Sequence, residues 1–127
     1  MDDIIFPQLR PGERTAAYSE RITQFVSKCP ANTERNSPYL QVVRSAGWLT
    51  NAWNVPPWRH QTAVGQYRVR MKLLRSEARN ILNFLPMVEL YNRDELEEER
   101  DKLLEDCKEL IRVYDAVIAA CQTIDIA

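Results

Sequence analysis

Leucines and β-branched residues recur every seven positions along the last third of the chain: Leu96, Leu103, Leu110, Val117 and Ile124. Cys107, Tyr114 and Cys121 fill the second seam position, which Arg100 occupies near the start. A heptad kept over this distance is a helix signature that no strand can imitate. The stretch opens on Asp94, with Glu97 three residues later, the spacing of a capping box. A helix of ~30 residues is ~45 Å long and needs packing partners along its whole length. Antiparallel neighbours joined by short loops supply them, so the expected fold is all-α, an up-and-down antiparallel four-helix bundle.

Three further helices are legible upstream. Tyr18, Ile22, Phe25, Val26 and Cys29 share one face of a helix from about Glu13 to Lys28. Ser37 followed by Pro38 reads as N-cap and first residue of a second helix, ending near Trp53, with Leu40, Val43, Ala46, Leu49 and Trp53 as its inner face. The double proline in NVPP, residues 54–57, stops it. A third helix is expected from about Trp58 to Leu85. Its apolar seam Tyr67, Met71, Leu74, Ala78, Ile81, Leu85 advances by steps of four and three. Residues 1–13 carry Pro7, Pro11 and Gly12 without helical period and read as an N-terminal arm, leaving residues 14–127 as the bundle.

Composition narrows the class. At 127 residues the chain fits one domain, and only three glycines occur. No apolar run reaches the ~18–20 residues of a membrane span, and the acidic start MDDIIFPQLRP has no secretory pattern. Cys29, Cys107 and Cys121 are an odd number without C-x-x-C spacing, which suggests buried thiols and a reducing, cytoplasmic setting.

The formal net charge of −1 hides a polarised distribution. Residues 35–79 carry eight Lys/Arg and one acid, whereas residues 86–127 carry five Lys/Arg and twelve acids. Within the third helix Arg68, Lys72, Arg75 and Arg79 line a strip roughly 100° from the apolar seam. Like charges at these spacings repel, so something anionic is expected opposite. Three arrangements satisfy this. The strip faces acids of the fourth helix such as Glu98, Asp101, Glu105 and Glu109; or it meets such acids on another subunit; or it meets nucleic-acid phosphates.

Catalytic constellations are absent from the sequence pattern. His60 is the single histidine, beside Arg59, and reads as a surface or capping residue. Glu-x-x-His pairs, zinc spacing and a Gly-rich phosphate loop do not occur, so no cofactor or metal is expected. Trp48, Trp53 and Trp58 stand at five-residue steps. Trp48 and Trp53 lie about 140° apart on a helix, so one of them is expected at the surface; as core residues the tryptophans plug the bundle end, otherwise they make a protein anchor or a stacking platform helped by Arg44 and Arg59.

The segment QVVRSAGWLTNAWN, residues 41–54, resembles the motif helix of the four-helix-bundle proteins encoded in 23S rRNA intervening sequences, and of the accessory proteins of diversity-generating retroelements. Gln41, Arg44, Ser45 and Ala46 carry the likeness, Leu49 stands for an Ile, and Ser76 and Glu77 sit in the basic third helix. The order of elements matches over nearly the whole chain. The resemblance implies a ring-like homo-oligomer, often a pentamer, with a basic surface for RNA, DNA or a nucleic-acid-processing protein. The expected function is therefore non-enzymatic binding through Arg44, Arg59, Arg68, Lys72, Arg75, Arg79, Trp48 and Trp53. The alternative is a protein–protein adaptor or inhibitor using a Trp-rich surface, with the charges paired internally.

Overall fold

The computed structural model describes residues 7–51 and 63–126. They form four helices: α1 Pro11–Lys28, α2 Pro38–Asn51, α3 Ala63–Phe84 and α4 Asp94–Ile126. A 3-10 turn, Leu85–Met87, follows α3 directly. Each helix packs on its neighbour in sequence, and α4 closes the ring against α1. Hydrogen bonds between Ser19 and Thr50, Asn80 and Ser45, Cys107 and the Ala78 carbonyl, and Tyr114 and Thr15 tie the four interfaces together. The up-and-down bundle expected from the heptad is the fold observed.

The seams of α3 and α4 point inward as their spacing requires. Met71, Leu74, Ala78, Ile81 and Leu85 are fully buried and Tyr67 nearly so. On α4 Leu96, Leu103, Cys107, Leu110, Tyr114, Val117 and Cys121 are buried, facing Tyr18, Ile22 and Phe25 of α1. At 33 residues α4 spans ~50 Å. Arg100 occupies the seam position near its start without entering the core. Its guanidinium donates to the Val88 carbonyl at 2.8 Å and ties the α3–α4 connection down.

Several boundaries and faces differ from expectation. Helix α1 begins at Pro11, two residues before Glu13, because proline at the first helical position loses no hydrogen bond. The segment read as an arm thus contributes the first turn, with Pro11 and Gly12 buried. Helix α2 starts at Pro38 as expected, and the Ser37 hydroxyl accepts from the Leu40 N–H at 3.2 Å. Its inner face is Val42, Ser45, Ala46 and Leu49 in place of Leu40, Val43, Ala46 and Leu49. Val43 is exposed because Ser45 faces α3, where Asn80 satisfies its hydroxyl. Helix α3 ends at Phe84 and tightens into the 3-10 turn, one residue earlier than the seam suggests. At α4 the first turn bonds back to the Arg93 carbonyl, so Arg93 is the N-cap and Asp94 the first helical residue. Trp53, Trp58, Arg59 and His60, and the start of α3 at Trp58, lie outside the described residues.

With so few glycines, the connections put other residues into left-handed backbone, Arg10 (φ 48°) ahead of α1 and Tyr91 (φ 51°) ahead of α4 among them. Asn36 (φ 62°) and Asn92 (φ 60°) adopt it ahead of α2 and α4.

Candidate polyanion-binding face

Two edges divide the basic strip of α3. At 100° per residue Arg68 and Arg75 lie nearer to α4 than Lys72 and Arg79 do. Arg75 Nη1 donates to Asp115 Oδ1 at 2.8 Å, and its side chain is 24% exposed. Arg68 is partly buried and also engaged. Lys72 and Arg79 are exposed, and among the described residues they form no ion pair. These two cations sit two helical turns apart, within ~20° of each other around the axis, and look away from the core.

Five acids of α4 are committed elsewhere. Glu98, Glu105 and Glu109 pair with Lys102, Lys108 and Arg112 of their own helix. Asp106 pairs with Arg21 and Glu99 with Lys28, both on α1. The expectation that Glu98, Asp101, Glu105 and Glu109 pair with the α3 strip is therefore corrected: Asp101 forms no ion pair among the described residues, and only Asp115 reaches the strip there. Sequence reasoning missed the α1 contribution. Its signal was present, since Arg14, Arg21 and Lys28 stand at seven-residue steps on the side of α1 that meets α4.

Helix α2 adds a different surface. Arg44 is exposed, and Trp48 is 50% exposed. The Asn80–Ser45 bond places Arg44 at the level of the Arg79 turn, though on a separate helix. Of the two tryptophans weighed for exposure, Trp48 is thus at the surface, while Trp53 and Arg59 lie outside the described residues.

Inside the bundle the titratable groups are held neutral. Burial pushes the Cys107 thiol up to about 11, and it raises Cys29, Tyr18 and Tyr114 as well. Tyr114 donates to Thr15 Oγ1 at 2.6 Å, and Thr15 donates on to the Pro11 carbonyl at 2.6 Å. Tyr18 donates to the Leu103 carbonyl at 3.0 Å. These bonds satisfy polar atoms that would otherwise be costly to bury. All three cysteines are buried, and none is in a disulfide. Among the described residues no cluster of three His, Cys, Asp or Glu side chains is placed to hold a metal ion, and no helix is long and apolar enough to cross a membrane.

Compared with known proteins, the chain matches no family model, no curated protein and no solved structure. The comparisons therefore bear neither way on the likeness to intervening-sequence proteins.

Proposed function

We propose that this chain is a non-enzymatic binding protein, a homo-oligomeric helical bundle in the cytoplasm that offers the outer edge of α3 to nucleic acid. The observation that carries the reading is the state of Lys72 and Arg79: exposed, co-directional and without an ion pair among the described residues, while Asp115 alone of the α4 acids pairs with the strip, at Arg75. Lys72 and Arg79 each stand one turn from another cation, Arg68 and Arg75, and a phosphate backbone relieves that repulsion by taking both. Arg44 stands where it can extend the contact. The buried, protonated thiols and phenols favour binding over catalysis, since none is poised as a nucleophile or base.

A second reading has its own observation. Trp48 is half exposed, and large aromatic side chains are frequent anchors of protein interfaces. In that reading the chain is an adaptor, and a protein that handles nucleic acid is the natural partner.

An ionic-strength titration of single-stranded RNA binding separates the two. Lys72 and Arg79 alone give a log–log salt slope of about −1.4, and Arg44 would bring it to about −2. A flat salt dependence rejects the phosphate reading and leaves the adaptor.

A further inference from the structure

The groove between α3 and α4 is polarised along its length. It is an open cleft of ≈ 350 Å³ lined by Leu82, Pro86, Asp101, Leu104, Glu105 and Lys108. Leu82 and Leu104 are partly buried against the core, and what they leave exposed makes an apolar floor. The bond from Cys107 to the Ala78 carbonyl sets the level of the two helices. Counted from it, Lys108 stands about level with Glu77, at one end of the groove, and Asp101 about level with Phe84, at the other. The two ends are ~10.5 Å apart along the bundle. Lys108 donates to Glu105 at 3.1 Å, whereas Asp101 makes no ion pair or side-chain hydrogen bond among the described residues.

The cationic strip of α3 runs into the Lys108 end. Arg79 stands outside the groove, one turn before Leu82 and ~60° from it around the axis, a neighbouring position on the helix surface. Lys72 lies two turns further from the groove in nearly the same direction. Arg75, between them, reaches Asp115, so this is the side of α3 that meets α4. Cations therefore stand at one end, an unpaired carboxylate at the other, and apolar surface between them.

A ligand that offered only phosphates would gain nothing from Leu82 and Leu104, and Asp101 would repel it. A nucleotide of a single strand matches the whole order: phosphate, flat apolar face, then amino donors at the far edge of the base. In a duplex the base faces are stacked inside and do not reach such a floor. We infer that the groove takes one unstacked, amino-bearing base of a single strand, with its phosphates on Arg79 and Lys72 and its exocyclic amino group donating to Asp101. A carboxylate accepts from such an amine, as from cytosine N4, and repels the carbonyl oxygen that uracil carries at the same position. The inference rests on the phosphate reading of α3 and deepens it: the ligand is single-stranded and selected by its base.

The test is fluorescence anisotropy of labelled oligocytidine, oligouridine and an RNA duplex of equal length, with the full chain as wild type, Asp101→Ala and Lys72→Glu/Arg79→Glu. The wild type should prefer oligocytidine over oligouridine by at least about fivefold, and Asp101→Ala should bring the two within about twofold. The ratio is the readout, because losing an acid raises the affinity of any polyanion. The duplex should bind the wild type at least about fivefold more weakly than oligocytidine. Lys72→Glu/Arg79→Glu should weaken all three ligands. Equal binding of the two oligonucleotides by the wild type, a preference that Asp101→Ala leaves unchanged, or a duplex bound as tightly as oligocytidine overturns the base site while leaving phosphate binding by α3 standing. Three ligands that all fail to bind the wild type at low salt overturn the base site and the phosphate reading together.

Discussion

Asn80 Nδ2 donates to Ser45 Oγ at 2.8 Å, joining a half-buried amide on α3 to a fully buried hydroxyl on α2. This bond decides which side of α2 faces the core. It turns Ser45 inward at the expense of Val43, against the ordinary preference of the two residue types. Ser45→Ala removes the acceptor and leaves the Asn80 amide short of a partner, so it should cost about 1–2 kcal/mol in urea unfolding. A double-mutant cycle with Asn80→Ala should show coupling, because the second substitution adds little once the first is made.

Gly47→Ala should move stability the other way. The position is helical and its Cβ meets open space, so alanine should gain about 0.5–1 kcal/mol in the monomer. Thermal melts at concentrations too low for association would read this directly. A destabilised variant would mean that the local backbone is strained in a way the helix geometry does not show.

Arg75 and Asp115 bridge α3 and α4 at 2.8 Å, but Asp115 is 49% exposed. Removing either side chain should therefore cost only about 0.2–1 kcal/mol, an effect that shrinks in high salt. Leu74→Ala, in the fully buried seam of the same helix, should cost about 2–5 kcal/mol with little salt dependence. Chemical denaturation of both variants at low and high salt checks the contrast.

The contrast also shows what the sequence made legible. Alternating steps of four and three from Tyr67 to Leu85, and the heptad of α4, identify buried faces because only one helical phase places every such residue inward. Two features escaped that logic. Ser45 is polar, so its burial follows from Asn80, a residue 35 positions away that no local pattern connects to it. The charge totals of two segments give the sign of each but not the direction of each side chain. Opposite totals in residues 35–79 and 86–127 thus suggested a pairing that the structure routes mostly through Lys102, Lys108 and Arg112 of α4 itself and through Arg21 and Lys28 of α1. The cationic surface of Lys72 and Arg79 was legible from spacing alone; that it stands apart from the acids of α4 was not.

Alkaline pH should loosen the bundle. The Cys107 thiol rises from its ordinary 9.0 to about 11 on burial, so the folded state holds its proton more tightly than the unfolded chain does. Its contribution is fully present below about pH 9 and is lost as pH climbs towards 11. Buried Tyr18 and Tyr114, also raised, add to the loss beyond their usual range. Cys107→Ala should flatten the stability profile between those two values, measured by denaturation at stepped pH.

The central claim is that the outer edge of α3 binds phosphates, and its most direct measurement is the affinity of a single-stranded RNA oligonucleotide for the wild type and for Lys72→Glu/Arg79→Glu. The account predicts at least about a tenfold loss at low salt and a salt slope reduced towards zero, with melting temperature and solution mass unchanged because neither side chain makes an ion pair among the described residues. Equal affinity of the two proteins, or loss accompanied by unfolding, would contradict it.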